Sequence, residues 1–224
     1  MTQDSILSVD YKGHRIRIEQ DTEPNDPREW DNIGTMLCFH RHYTLGDKHE
    51  LTVDEVKAIN ADPTNISLPL YLYDHSGLRM KVGSFQGLLP QGHAEFDSGQ
   101  VGIIYVSKER IREEFGKRLT DAEVEQKGNE VLEQEVKTYD DYLTGNVLGY
   151  VIEHDETCEH CHHTEVVHDD SCWGYYGMTP EGLVEECKSI IDLYEEKGGQ
   201  DGTQDSQVTA ENETAGTEDS KAGA

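Results

Sequence analysis

The chain has 224 residues, 34% of them apolar, and 46 Asp and Glu against 19 Lys and Arg give it a formal net charge of −27. This charge argues against direct binding to nucleic acid or to an anionic membrane. It indicates either adaptation to a salt-rich cytoplasm, which the composition favours, or imitation of the charge of DNA. No secretory leader and no apolar run of about 18 residues is found, so the sequence predicts a soluble cytoplasmic protein.

The first predicted elements are a hairpin and a short strand. Ile6–Val9 and His14–Glu19 alternate apolar and polar residues on either side of a glycine-containing turn. An acidic loop with prolines follows, in which we expect Trp30 to fold back as an apolar plug. Thr35–Phe39 then predicts another strand, after which the sequence becomes polar again.

Two apolar runs, Leu68–Tyr73 and Val101–Val106, predict buried strands at the centre of the domain. Each adjoins a compact turn with an aspartate, Asp74–Gly77 after the first run and Asp97–Gly99 before the second. Polar turns at the ends of buried strands are where binding and catalytic side chains are most often placed. These turns are therefore where a site would most readily be placed.

Four helices are predicted from their capping signals. Two begin with capping boxes of the form Thr-x-x-Glu, one begins at a serine cap, and one begins with the pair Thr-Pro. They are predicted to extend from Thr52 to about Asn60, from Ser107 to Phe115, from Thr120 to Gly145, and from Thr179 to just before Gly198.

The remaining segments are a strand pair and a tail. Val147–Glu153 and Val166–Tyr176 predict two strands joined by a loop rich in cysteine and histidine. Residues 198–224 are acidic, with very few large apolar side chains, and predict a disordered tail. The sequence thus predicts a single α+β domain at residues 1–197, with a mainly antiparallel sheet, helices packed on one face of it, and a Cys/His-rich hairpin.

That hairpin has the composition of a structural zinc site. Five cysteines without a regular framework are typical of thiols or metal ligands, and two of them form a C-x-x-C turn, which points two thiolates at one ion. A solvated polar loop remains the alternative interpretation, and a catalytic zinc is disfavoured because four soft ligands would close the coordination shell. The predicted zinc ligands are Cys158, Cys161, His163 and His168, with His154 and Cys172 as substitutes.

A second group of polar residues predicts either a metal-dependent hydrolase or a structural loop. Imidazoles and carboxylates are the ligands with which such enzymes hold the ion that activates water. The spacing matches no known hydrolase motif, and the same side chains could instead bond the amides of their own turns. The candidate residues are His40, His42, Asp47, His49, Asp74 and His75.

Several blocks in one order make the chain resemble a group of small uncharacterised proteins encoded by tailed bacterial and archaeal viruses. The resemblance covers roughly Asp26 to Gly177, and the acidic composition would suit a virus of a halophilic archaeon. It implies no activity and assigns no residue, and the Cys/His loop is an elaboration on a shorter hairpin. The blocks are Trp30–Met36, Phe39–His49, Leu68–Gly77, Asp97–Gly102, Val106–Glu109 and Asp170–Gly174.

Two functions follow from these patterns. The first, which we favour, is a non-enzymatic viral accessory protein that binds a host or viral protein with a basic surface in the host cytoplasm. The second is a metal-dependent hydrolase that acts on a nucleotide or nucleic-acid phosphoester. Convergence of three or more of the His and Asp candidates in one pocket would favour the enzyme.

Overall fold

The computed structural model describes residues 5–89 and 92–201, which form two four-stranded antiparallel sheets and five helices. The strands are β1 (Leu7–Tyr11), β2 (His14–Gln20), β3 (Thr35–Cys38), β4 (Asn65–Asp74), β5 (Leu78–Val82), β6 (Ser98–Ser107), β7 (Val147–Thr157) and β8 (Thr164–Tyr176). The helices are α1 (Val53–Ala61), α2 (His93–Phe96), α3 (Lys108–Phe115), α4 (Asp121–Thr144) and α5 (Pro180–Asp201).

Each sheet buries one face against a long helix. The first sheet has the order β1-β2-β7-β8, and its buried residues, such as Ile16 and Ile152, pack against Leu183 and Ile191 of α5. The second sheet has the order β3-β6-β4-β5 and packs against α4. The predicted α+β class is confirmed, but the strands are divided between two sheets, because β2 pairs with β7 whereas β3 pairs with β6.

Helix α4 shows how the sequence specifies its own packing. Both predicted capping boxes are present, and in this helix the Thr120 side chain accepts from the Glu123 amide while Glu123 reaches back to the Thr120 amide. On the buried face, Gly128 lies against β4, where an added Cβ would be 2.3 Å from Cδ1 of Ile66. The helix ends at Gly145, whose φ of 70° favours glycine.

The position of Trp30 and the end of the last helix differ from the predictions. Trp30, the expected plug, stays half exposed and meets the ring edge of Tyr176 at a centroid distance of 5.0 Å. The last helix continues to Asp201 instead of ending before Gly198. From residue 202 onward, the predicted tail lies outside the described residues. Within the described ranges, no helix is both long and apolar enough to cross a membrane.

Candidate functional site

The two aspartate turns predicted at the ends of the central strands meet in the structure. The amide of Asp74 donates to the carbonyl of Asp97 at 2.8 Å, and Nδ1 of His75 lies 3.1 Å from Oδ2 of Asp97. His93 of α2 joins them, with its ring 4.9 Å from that of His75 and its Nδ1 3.2 Å from the Tyr73 hydroxyl. His75, His93 and Asp97 thus place three ligand atoms within 4.8 Å of one another.

A polar cleft of about 390 Å³ adjoins this group. Its walls include Asp74, Asp97, His40 and Arg41. Two imidazoles and a carboxylate are suitable ligands for a divalent ion, and a guanidinium at the cleft wall is suitable for a phosphate. Our sequence interpretation missed His93, although its position four residues before Asp97 was a usable signal once that turn was singled out.

Asp47, a predicted metal ligand, is instead bound by a buried arginine. Nε and Nη2 of Arg28 donate to its two carboxylate oxygens at 2.8 and 2.9 Å, and the Met36 amide donates to Oδ2 at 2.7 Å. The Arg28 side chain is only 3% exposed. Burial opposes the guanidinium charge, but the hydrogen bonds to Asp47 and Glu135 outweigh it and raise the pKa of Arg28. Asp47 therefore has a structural role.

The same arginine connects this loop to α4. Its Nη1 donates to Glu135 at 2.9 Å, and its Nη2 also donates to the Gly34 carbonyl at 2.8 Å. Glu135 in turn accepts from the amides of Ile33 and Gly34 at 2.9 and 3.0 Å. Arg28, Asp47 and Glu135, here called the Arg28 network, hold the segment before β3 and the loop after it against one helix.

The histidines of the same loop make local contacts. Nε2 of His49 lies 3.1 Å from the Cys38 carbonyl, His40 stacks on Tyr43 at 5.0 Å, and the His42 amide donates to Nδ1 of His40 at 3.3 Å. His40, Asp47 and His49 do line one open cleft of about 620 Å³. Three candidates thus share one pocket, as expected for the enzyme, but in the part of the chain that the structure describes this loop offers no group of three close ligand atoms. The six hydrolase candidates thus divide between two places, the loop and the turn at Asp74 and His75.

The predicted zinc ligands Cys158 and Cys161 share the exposed turn between β7 and β8. The Cys158 amide donates to the His163 carbonyl at 2.9 Å, and the His162 amide donates to the Cys158 carbonyl at 2.9 Å. Hydrogen bonds from the amides of Cys161 and His160, and from the Cys161 side chain, lower the pKa of Cys158. A sulfur supported by amides is predisposed to the thiolate form that zinc binds.

The other predicted ligands lie at different distances from these thiols. His163 is on the same turn, whereas His168 pairs with Glu153, four positions before the end of β7 at Thr157. At about 3.3 Å per residue, His168 is separated from the turn by roughly 13 Å. A single ion held by both cysteines cannot reach it without rearrangement of the hairpin, and His154 belongs to another group, described below.

No family model matches this chain, and neither a curated protein nor a solved structure resembles it significantly. The resemblance to viral proteins therefore stays a prediction. What the protein does is therefore inferred from its own surfaces and side-chain groups.

Proposed function

We propose that this protein is a non-enzymatic viral accessory protein that binds a host or viral protein with a basic surface in the host cytoplasm. The observation that supports this most directly is an apolar groove of about 360 Å³ on the second sheet, in a chain of net charge −27. The groove lies between α1 and β6, on the sheet face opposite α4.

The groove has a buried floor and an exposed apolar rim. Val56 of α1 and Ile103 of β6 are buried and pack together with Leu37. Phe39 and Val53 stand at the rim, and 37% and 52% of their surfaces are exposed. Buried apolar area contributes about 25 cal/mol per Å², so a large apolar side chain inserted here would supply the anchor of an interface.

Acidic residues beside the groove indicate which partner would suit it. Asp54 and Glu55 follow Val53 in the first turn of α1, and Lys57 is paired with Asp54 at 2.9 Å. We infer that the partner presents an apolar side chain flanked by lysine or arginine. Exposed ion pairs add little affinity, but a complementary field speeds association and excludes acidic competitors.

The Arg28 network argues against catalysis at the His40–His49 loop. Both carboxylate oxygens of Asp47 are engaged by Arg28, and Nε2 of His49 is engaged by the Cys38 carbonyl. A hydrolase built on that loop would have to break a buried ion pair before it could hold a metal ion.

The test compares groove substitutions with matched substitutions elsewhere. Phe39→Ser and Val53→Ser alter the rim, while Phe115→Ser and Leu193→Ser alter residues of almost equal exposure, 40% and 53%, away from it. Each variant is checked for folding by circular dichroism and used as bait in infected-cell extracts over a series of salt concentrations. We expect the groove variants to lose a partner with a basic surface that the wild type and the controls retain, and rising salt to weaken its capture. Equal capture by all four variants, or no specific partner for the wild type, would overturn the proposal.

The second candidate function is a metal-dependent hydrolase acting on a nucleotide or nucleic-acid phosphoester. The observation that favours it is the group of His75, His93 and Asp97 beside a cleft that also contains Asp74 and Arg41. A bound ion would activate water and offset the repulsion between a phosphate and this acidic protein.

Turnover of a phosphodiester in the presence of Mn²⁺ or Zn²⁺ tests this second function. His75→Ala and Asp97→Asn should each reduce the rate at least a hundredfold, because the ion contributes several kcal/mol to the transition state. His42→Ala, an exposed histidine outside the group, is the control. Undetectable turnover by the wild type, or full activity of His75→Ala, would exclude the enzyme.

A further inference from the structure

Three residues that are distant in sequence meet at the outer end of the first sheet, which is the end where the turn between β1 and β2 lies. His14 of β2 and His154 of β7 are direct register partners, and their ring centroids are 5.7 Å apart. Asp169 of β8 lies between them, with Oδ2 at 2.9 Å from Nδ1 of His14 and Oδ1 at 2.8 Å from Nδ1 of His154. The three ligand atoms lie within 4.8 Å of one another.

A β-bulge accounts for the position of Asp169. Ile152 pairs with Asp170 and Glu153 pairs with His168, so Asp169 is the extra residue without a register partner. Bulges bend a strand and redirect a side chain, and they are frequent beside functional sites. Here the bulge brings a carboxylate from a third strand between two imidazoles that neighbouring strands already hold opposite each other.

We propose that His14, His154 and Asp169 form a binding site for a divalent transition-metal ion of the zinc type, separate from the Cys158–Cys161 turn. Two imidazoles and one carboxylate are a ligand set that zinc, iron(II), cobalt and nickel accept. Zinc–nitrogen bonds of about 2.0–2.1 Å place tetrahedral ligands roughly 3.3 Å apart. The present spacings of 2.8 and 2.9 Å would have to open only slightly to admit the ion.

The surroundings of this group favour a cation with an open coordination position. The side chains of His14 and His154 are 27% and 35% exposed, so the ion would face solvent and could bind water or a small ligand. Tyr11, the register partner of His14 on β1, donates to Asp192 at 3.0 Å. Lys12 is already bound to Asp192 and Glu195, at 2.8 and 2.6 Å, so its charge is compensated.

A second reading of the group is a simple hydrogen-bonded triad, in which Asp169 accepts an N–H from each imidazole. The two readings differ in what happens when a soft divalent ion is offered, since a triad without metal affinity would leave the ion in solution. The metal site also does not depend on the proposed partner binding, because it lies on the first sheet whereas the groove lies on the second.

Cobalt titration separates these possibilities. The protein is prepared without a histidine tag, stripped with chelator, and carries Cys158→Ser and Cys161→Ser to remove the two thiols of the turn between β7 and β8. Excess Mg²⁺ occupies the acidic surface, since hard cations prefer carboxylates. We expect one equivalent of cobalt to bind, with d–d absorption bands and no thiolate charge-transfer band.

Three further substitutions in this background locate the ion. His154→Gln and Asp169→Asn should abolish cobalt binding, whereas His168→Gln should leave it unchanged, because the register partner of His168 is Glu153 on the opposite face of the sheet. Paramagnetic shifts of the His14 and His154 ring protons provide a second readout in the folded protein. Failure of the Cys158→Ser, Cys161→Ser protein to bind cobalt, or equal affinity in the His154→Gln and His168→Gln variants, would overturn the proposal.

Discussion

The His40–His49 loop and the outer end of the first sheet contain the same kinds of side chain in different surroundings. In the loop, Asp47 is held at both oxygens by Arg28, which is 3% exposed. At the end of the sheet, Asp169 lies between two partly exposed imidazoles and has no guanidinium partner among its described contacts. A carboxylate already neutralised by a buried arginine stabilises the fold, whereas one flanked by imidazoles at the surface can exchange their protons for a metal ion.

The first prediction concerns the Arg28 network and has the largest effect. Arg28→Met leaves Asp47 and Glu135 without their shared cation, and breaking a buried pair on one side costs about 3–5 kcal/mol. Chemical denaturation should show this loss in the free energy of unfolding. Arg79→Met removes an arginine whose side chain is 60% exposed and pairs with Asp140, and should cost less than about 1 kcal/mol. Similar losses for the two variants would show that Arg28 contributes no more than a surface residue.

The second prediction compares the two aspartates directly. Asp47→Asn preserves the shape of the side chain but weakens charged hydrogen bonds to a buried arginine, and should destabilise the protein by roughly 2–3 kcal/mol. Asp169→Asn changes a partly exposed group and should cost less than about 1 kcal/mol while removing cobalt binding. Denaturation and cobalt titration of both variants test the comparison. If Asp169→Asn proved the more destabilising, Asp169 would have a structural role in the bulge and would not be a metal ligand.

The sequence predicts local structure well because its signals are local. The capping box at Thr52 and the alternation around Ile16 depend on neighbouring residues alone, and both give the elements observed. Strand β5 was missed although Leu78, Met80 and Val82 alternate with two cations, because it has only five residues and follows a turn closely. Its place in the sheet depends on pairing with β4, which no local pattern reveals.

The sites were harder to predict than the elements. His14 and Asp169 are 155 positions apart and meet only because β2, β7 and β8 are adjacent and β8 has a bulge. Conversely, the density of polar residues from His40 to His49 suggested a site, but the burial of Arg28 could not be read from its acidic, proline-containing loop. The clustering of polar residues along the chain therefore did not identify the residues that meet. Strand register determines which ligand atoms come close together.

The third prediction concerns the turn between β7 and β8. Cys158→Ser with Cys161→Ser should lower the zinc content of the protein by about one equivalent if the predicted structural zinc is bound there. Because both cysteines are exposed and the buried residues lie elsewhere, the melting temperature should change by no more than about 2 °C. Amide exchange should increase at the turn alone. Cys172→Ser is the control, and a cooperative loss of the whole fold would contradict this view of the hairpin.

The last prediction leaves stability unchanged and compares the thiol of Cys38, at the end of β3, with that of Cys158, in the turn between β7 and β8. Burial, reinforced by the charge of Asp47, raises the pKa of Cys38 to about 12, whereas amide hydrogen bonds lower the pKa of Cys158. The thiolate is the form that reacts with iodoacetamide, so a raised pKa lowers the reactive fraction at a given pH and a lowered pKa increases it. At pH 8, a pKa of about 12 leaves about one Cys38 in ten thousand ionised.

In chelator-treated protein, mass spectrometry of the labelled peptides should therefore find Cys158 alkylated early and Cys38 protected until denaturant is added. Lowering the pH from 8 to 7 should reduce the labelling of Cys158, because part of its thiolate is protonated. Added zinc should protect Cys158 and leave the exposed Cys172 reactive, which distinguishes metal binding from a general loss of access. Rapid labelling of Cys38 in the folded protein would show that the loop around Asp47 opens, and that the two thiols differ less than their contacts indicate.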